Sequence, residues 1–228
     1  MWCHRCHASR FVRSGTPGLA AVRTDLKQRA TQAPLAEEKT SYSYKVELPK
    51  DFTNVIPNAG IVWLTSYGVT QDEALSFNFG YSPSLERLIL PVYDASGNLV
   101  YWQGRNLSAD TTRYKYQSVQ APKSHVWFEV NRGSNTTVIV EDILSALAVA
   151  RGGYNAISVL GSYVNDALVG HLMATGGRVR VWLDSNKRRD SCTYSKRLRS
   201  LGLQASSILL ADLDPKEYSP DDVKKFVK

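Results

Sequence analysis

The sequence predicts an α/β fold: a parallel sheet with flanking helices, preceded by a smaller α+β subdomain rich in basic residues. Three observations carry that expectation. From Asn135 onward, short apolar and β-branched runs alternate with helix-forming stretches of about ten residues, the rhythm of βαβ units. Upstream, two strand-like runs flank Asp94-Ala95-Ser96-Gly97, which is turn chemistry and makes a hairpin. Glycines stand where the C-terminal segments must end, at Gly161, Gly176-Gly177 and Gly202.

Taken in order, the first fifteen residues are rich in Cys and His, with Cys3 and Cys6 forming a Cys-x-x-Cys knuckle. Residues 16–40 mix Gly, Pro, Ala, Gln and Thr without a sustained period and read as a linker, with a short helix around Leu19–Arg29. At Tyr42 the pattern changes, and Tyr44–Leu48 alternates like a strand edge. Thr70 precedes Gln71-Asp72-Glu73-Ala74-Leu75 as the cap of a short helix. Arg87–Tyr93 and Asn98–Gln103 are the arms of the hairpin. Thr137–Val140 is a continuously apolar strand, followed by a helix over Ile143–Val149. Ala156–Leu160 is the next strand, and Asn165–Ala174 the next helix. Arg178–Leu183 is a strand, Ser191–Leu201 a helix, and Ser207–Leu210 a fourth strand. Ser219 and Pro220 open a last helix as N-cap and first residue. There is no internal repeat. The divisions are 1–15 for the knuckle, 16–41 for the linker, 42–130 for the basic subdomain and 131–228 for the parallel-sheet domain.

The composition narrows the functional classes. With 43% hydrophobic and 21% charged residues in a chain of 228, the protein reads as soluble and globular. No stretch approaches the ~20 apolar residues of a membrane span, and no apolar core of ~7–15 residues follows the first basic residues. The expectation is therefore a cytoplasmic protein with no membrane partner. Three cysteines are too few for a disulfide scaffold. The 28 Lys and Arg against 21 Asp and Glu give a net charge of +7, which favours a polyanionic partner. The excess is clustered: Arg5, Arg10, Arg13, Arg23, Lys27 and Arg29 face only Asp25, and Lys187, Arg188, Arg189, Lys196, Arg197 and Arg199 face only Asp190. Such clusters are either solvated faces or phosphate contacts.

The acids lie where the chemistry of an open sheet is placed. Ligands bind such sheets at the carboxyl ends of the strands. Glu141 directly follows the first apolar strand, Asp184 the third, and Asp212 and Asp214 the fourth. A lone acid there is ordinarily a helix N-cap. Several at one edge repel one another unless a cation joins them, and hard oxygen ligands suit Mg²⁺ or Mn²⁺.

At these residues the sequence resembles the TOPRIM module, the metal-binding domain of bacterial-type primases, topoisomerases and some nucleases. Val138-Ile139-Val140-Glu141-Asp142, followed by Ser145-Ala146-Leu147, is similar to its first motif. Val181-Trp182-Leu183-Asp184-Ser185-Asn186-Lys187 is similar to its Asp-x-Asp motif, and Asp214-Pro215-Lys216-Glu217-Tyr218 to the segment that closes the module in primases. Arg87–Tyr93 with Gly97–Arg105, the Lys115-Tyr116 pair and Lys123 resemble the basic subdomain that precedes TOPRIM in phage primases. The likeness covers about residues 60–228 and looks like that of phage primases and of the primase half of phage primase–helicases. No Walker A pattern occurs, so no helicase half is expected here.

The resemblance implies a nucleotidyltransferase, a DNA primase that makes short RNA primers on single-stranded DNA during phage replication. It implies catalytic Glu141 and Asp184, with a Mg²⁺ or Mn²⁺ site drawn from Glu141, Asp142, Asp184, Asn186 and Asp214. Arg105, Lys115, Lys123, Lys187 and Arg188 would contact nucleic acid. The partners would be single-stranded template, ribonucleoside triphosphates and a separate replicative helicase, in host cytoplasm if the chain is phage-encoded. The sequence departs from the family in four places. Asn186 replaces the second acid of Asp-x-Asp, Ser145 the acid four residues after the motif-one Glu, and Lys216 an acid two after Asp214; Asp142 stands where Gly is usual. These departures keep open a non-catalytic single-strand-binding factor with a degenerate TOPRIM. A TOPRIM nuclease is the other alternative, against which the upstream basic subdomain argues.

In primases a zinc ribbon precedes the polymerase core, and the knuckle at Cys3 and Cys6 looks like only its second half. A structural zinc takes four ligands, so zinc binding by this chain alone is not expected. Tyr101, Trp102, Tyr114 and Tyr116 interleave with Arg105, Arg113 and Lys115, which suits either hairpin packing, the better reading for Trp102, or base stacking beside phosphate contacts. His125 and His171 are read as structural.

Overall fold

The computed structural model describes residues 45–228 apart from 109 and 111. The Cys3/Cys6 knuckle, the linker and the N-terminal basic cluster lie outside the described residues.

The first half is a four-stranded antiparallel sheet in the order β1-β2-β3-β4: β1 (Gly80–Ser82), β2 (Arg87–Tyr93), β3 (Leu99–Asn106) and β4 (Tyr116–Ser118). The hairpin forms where the sequence places it. Asp94 closes the turn by accepting from the Ser96 and Asn98 N–H groups at 2.9 and 2.8 Å. The short helix α2 (Gln71–Ser76) is capped by Thr70, whose hydroxyl accepts from Glu73 N–H at 3.1 Å. Gly80 is required by a close approach. A Cβ there would lie 2.4 Å from the Thr53 carbonyl, at the bridge where Thr53 pairs with Tyr81.

Two features depart from the sequence expectation. Lys45–Leu48 is irregular rather than a strand; its tie to the sheet is the Trp102 indole N–H, which donates to the Glu47 carbonyl at 3.0 Å. A helix, α1 (Asn58–Ser66), was not anticipated. Its apolar residues Ile61-Val62-Trp63-Leu64 run consecutively instead of recurring every three or four, and its N-cap is Pro57, without a side-chain cap.

The second half is a five-stranded sheet in the order β5-β7-β6-β8-β9: β5 (Phe128–Val130), β6 (Thr136–Val140), β7 (Asn155–Ser158), β8 (Arg178–Val181) and β9 (Gln204–Ser207). β7, β6, β8 and β9 are parallel, and β5 closes one edge antiparallel to β7. Four helices follow the predicted rhythm: α3 (Ile143–Arg151), α4 (Asp166–Thr175), α5 (Arg188–Ser200) and α6 (Pro220–Val227). Both faces of the sheet are covered, which is why β6 reads as unbroken apolar sequence. Val138 and Val140 pack with α3 and α6, whereas Ile139 packs with Leu168, Leu172 and Leu198 of α4 and α5. The α3 core continues into the antiparallel half through Leu88, Leu90 and Tyr101. Phe128–Val130, on the amino side of the expected boundary at 130, pairs within this second sheet.

The last strand lies three residues earlier than the apolar run Ser207–Leu210 suggests. Ile208 N–H still bonds to the Val181 carbonyl, but Leu210 is 87% exposed. The run marks the exit from an edge strand rather than the strand itself.

His171 of α4 pairs with Glu129 of β5 at 3.0 Å and stacks on Trp127. Glu129 raises the His171 pKa above its ordinary 6.5, and His171 lowers the Glu129 pKa below its ordinary 4.5. The histidine's stabilising part is full below pH 6.5 and is lost as pH rises through its raised value. The glutamate's part is full above pH 4.5 and is lost as pH falls through its lowered value. The pair should therefore contribute most between about pH 4.5 and 6.5. His171→Gln should cost on the order of 0.5 kcal/mol in that window, as for a partly exposed pair, and less at pH 9. Urea unfolding at both values checks this, and an equal cost at both would contradict it.

Candidate active site

Glu141 and Asp184 reach one place because two adjacent parallel strands end there. Glu141 directly follows β6, and Asp184 lies three residues beyond the end of β8. The Glu141 backbone is fixed from the β7 side: its carbonyl accepts from the Ser158 hydroxyl at 2.9 Å and from Gly161 N–H at 3.0 Å. Its carboxylate accepts from Asp184 N–H at 3.3 Å. Neither acid is a cap. Asp142 caps α3, accepting from Ser145 N–H at 3.0 Å. Asp184 precedes the 3-10 turn Ser185–Lys187 without a side-chain bond to it. The ordinary structural role of acids at these positions is thus filled by Asp142 or left empty.

A cavity of about 290 Å³ opens between this edge and the antiparallel half. Glu141, Asp142, Asp184, Asp214 and Lys216 line one wall; Trp63, Tyr67, Gln103, Lys115 and Tyr116 line the other, with Leu160 and Gly161 between. Clefts of about 490 and 360 Å³ lie elsewhere, one over α2 and one at the amino ends of β6 and β9. Burial, and then the Asp184 charge, push Glu141 up to about 7. Burial, and then the Asp214 charge, push Asp184 up to about 6, and one Asp184 oxygen is buried without a hydrogen-bond partner. Burial alone would depress Lys216; the carboxylates of Asp142 and Asp214, at 2.9 and 3.1 Å, outweigh it and hold the ammonium above the ordinary lysine value.

The structure thus gathers Glu141, Asp142, Asp184, Asp214 and Lys115 around one cavity. Asn186 is exposed on the 3-10 turn, away from the cavity lining. Lys187 is 4.0 Å from Asp190, and Arg188 donates to the Ala211 carbonyl and to Asp212. Arg197 and Arg199 of the same basic cluster are likewise engaged, with the Val164 carbonyl and Asp166, and with the Ala205 carbonyl. Arg105 lies between the Trp63 and Tyr116 rings, 5.0 and 5.4 Å from their centroids. Lys123 sits over Tyr101 and donates to the Leu160 carbonyl at 3.0 Å. That carbonyl belongs to a leucine at φ 56°, an outlier for a bulky side chain, of the kind that clusters at functional sites. Trp63 and Tyr67 were not foreseen because α1 was not. Leu160 carried a faint signal, since it closes a strand just before Gly161.

Among the described residues no three acidic, His or Cys side chains form a ready-made metal cage. Mg²⁺ does not need one: it keeps several waters and takes one or two carboxylates plus substrate phosphates. Glu141 and Asp184, raised by burial and neighbouring charge and with one Asp184 oxygen orphaned, are a donor set that fits it.

No protein-family model matches the sequence, and no curated protein does. Solved structures match. The molecule has the class of fold seen in primase RNA polymerase domains, a TOPRIM-like α/β module behind an antiparallel subdomain. The zinc-binding and RNA polymerase domains of the Aquifex aeolicus primase superpose with a TM-score of 0.66 at 15% identity, over 95% of this chain and 63% of that one. The RNA polymerase domain of Mycobacterium tuberculosis DnaG primase gives 0.62 at 15% identity, over 94% and 84%. A DnaG primase catalytic domain bound to single-stranded DNA gives 0.57 at 19% identity, over 92% and 79%. The chain therefore spans under two thirds of the Aquifex structure. The particular fold it shares is that of the DnaG catalytic domain.

Proposed function

We propose that this chain is a DNA primase of the bacteriophage type, which makes short RNA primers on single-stranded DNA. One observation carries the reading: two acids from adjacent parallel strands share a cavity whose opposite wall is aromatic and basic. A nucleotidyl transfer needs that pairing, with carboxylates for the metal and triphosphate on one side and a basic, stacking surface for the template on the other. A divalent ion held by Glu141 and Asp184 would neutralise charge on the triphosphate and on the pyrophosphate leaving group. The 3′-hydroxyl of one ribonucleotide attacks the α-phosphorus of the next and gives up its proton to solvent water; the bond to the bridging oxygen breaks, and pyrophosphate leaves with its electrons. Lys115 supplies a fixed positive charge in the same cavity, and Tyr116 and Trp63 offer ring faces to bases. The Lys123 bond to the Leu160 carbonyl keeps the loop beside Glu141 in its left-handed turn. Template pairing selects the incoming nucleotide, so the protein reads backbone and shape. Among the described residues no helix is long and apolar enough to cross a membrane. Action in the host cytoplasm beside a separate replicative helicase completes the proposal.

The test is synthesis of labelled RNA from ribonucleoside triphosphates on single-stranded DNA, with Mg²⁺, with Mn²⁺ and with neither. Short products that require a metal support the reading. A second reading, a non-catalytic single-strand-binding factor, is favoured by Lys216, which bridges two of the cavity's acids; binding without synthesis under either metal would install it. In both readings single-stranded DNA affinity should fall with salt, with a log–log slope of about −0.7 per phosphate contact. With about four contacts, a fourfold rise in salt weakens binding about 50-fold. Filter binding across salt concentrations checks this, and an affinity insensitive to salt would contradict it.

A further inference from the structure

The acids of the cavity are of two kinds. Glu141 and Asp184 face one another across a single backbone hydrogen bond. Asp142 and Asp214 are already joined by a cation. Lys216 Nζ donates to Asp142 Oδ2 at 2.9 Å and to Asp214 Oδ2 at 3.1 Å, and its side chain is only 17% exposed. Both Asp142 oxygens are engaged, because Oδ1 accepts from Ser145 N–H at 3.0 Å and Oδ2 also accepts from the Ser145 hydroxyl at 2.8 Å. We propose that the Lys216 ammonium is a built-in cation of this site, standing between Asp142 and Asp214 where a second divalent ion would sit, so that the cavity takes one divalent ion, on Glu141 and Asp184, and no more. The inference rests on the metal reading above.

The turn that carries Lys216 supports a fixed position. Glu217 accepts from Asp214 N–H at 2.9 Å, and the Tyr218 hydroxyl accepts from Asp212 and Leu213 N–H at 3.0 and 3.1 Å. Tyr218 is in turn packed against Trp182 and Phe226. Carboxylates crowded at one place need a cation between them. A tethered ammonium supplies it at constant occupancy, whatever the metal concentration. It also carries one positive charge where a divalent ion carries two, and it offers no open coordination position. Lys216 is therefore a positioning residue: it removes Asp142 and Asp214 from the ligand set and leaves Glu141 and Asp184 as the metal site.

Mn²⁺ binding to the full chain, without nucleotide or DNA, tests this by titration calorimetry and by the electron paramagnetic resonance signal of free Mn²⁺. The wild type should bind one ion in the cavity, and Lys216→Asp should bind one more. Lys216→Met, which keeps the stem and removes the charge, serves the same purpose if the acidic variant does not fold. Two ions on the wild type, or no gain in a folded Lys216 variant, would overturn the proposal. Glu141→Gln reports separately on the metal reading. It should remove the wild-type ion; retention of that ion would sink the Glu141–Asp184 site, while an added ion in Lys216→Asp would still establish the place that the lysine fills.

Discussion

Glu141→Gln should reduce primer synthesis at least ~10²-fold, the scale of losing one electrostatic contact made in the transition state. The substitution is nearly isosteric, and the Gln side-chain carbonyl can still accept from Asp184 N–H, so the fold should survive. Stability should in fact respond in the opposite direction from activity. Glu141, at about 7, and Asp184, at about 6, are both raised from ordinary carboxyl values by burial and neighbouring charge. A raised carboxyl binds its proton more tightly in the folded state. It therefore costs nothing below the ordinary values of 4.5 and 3.8, and the folded state loses ground as pH rises through them toward 7. Without metal, the wild type should lose stability between about pH 4 and 7 through this pair, and Glu141→Gln should flatten that fall. Single-strand binding should barely change, because the proposed function places its contacts on basic and aromatic residues rather than on Glu141. Primer yield, melting temperature against pH and filter binding on the same preparations check the three statements. Undiminished synthesis by Glu141→Gln would end the metal reading.

Much of this arrangement was legible in the sequence, and the reason is physical. Where strands are buried on both faces, as β6 is, the sequence must be continuously apolar, and the acid that ends the run is conspicuous. Glu141 and Asp184 were visible for that reason. Caps were visible too, because Thr70 and Ser219 are side chains whose chemistry is local. What was hidden depends on approach between distant segments. The cavity wall built by Trp63 and Tyr67 comes from α1 and its C-cap, and the apolar residues of α1 run together and give no helical period. β9 is an edge strand of Gln204-Ala205-Ser206-Ser207, so its composition did not announce it, and the exposed leucines after it did so falsely. Lys216 was noticed as a departure from a family pattern. Only its distances to Asp142 and Asp214 show that the departure is a cation set between two acids.

Trp182→Ala should destabilise the chain by ~3–5 kcal/mol, the range for removing a buried tryptophan from a packed core. Trp182 is 1% exposed and lies between β8 and Asp184. Its ring packs 5.7 Å from Tyr218 and 5.4 Å from Phe226, and those two rings pack 5.0 Å from each other. Three aromatic side chains from the end of β8, the turn after Asp214 and helix α6 thus form one cluster beneath the acids. The cluster anchors the turn that carries Asp214 and Lys216, because the Tyr218 hydroxyl accepts from the Asp212 and Leu213 N–H groups that lead into it. Loss of the indole leaves a void next to that turn, which the neighbouring rings can fill only by moving it. Trp182→Phe keeps an aromatic ring at the centre and should recover most of the loss. Urea unfolding of the two variants gives the comparison. A cost below ~1 kcal/mol for Trp182→Ala would mean that the cluster packs loosely enough to close over the void. In that case the placement of Asp214 and Lys216 would have to come from the Glu217 cap alone.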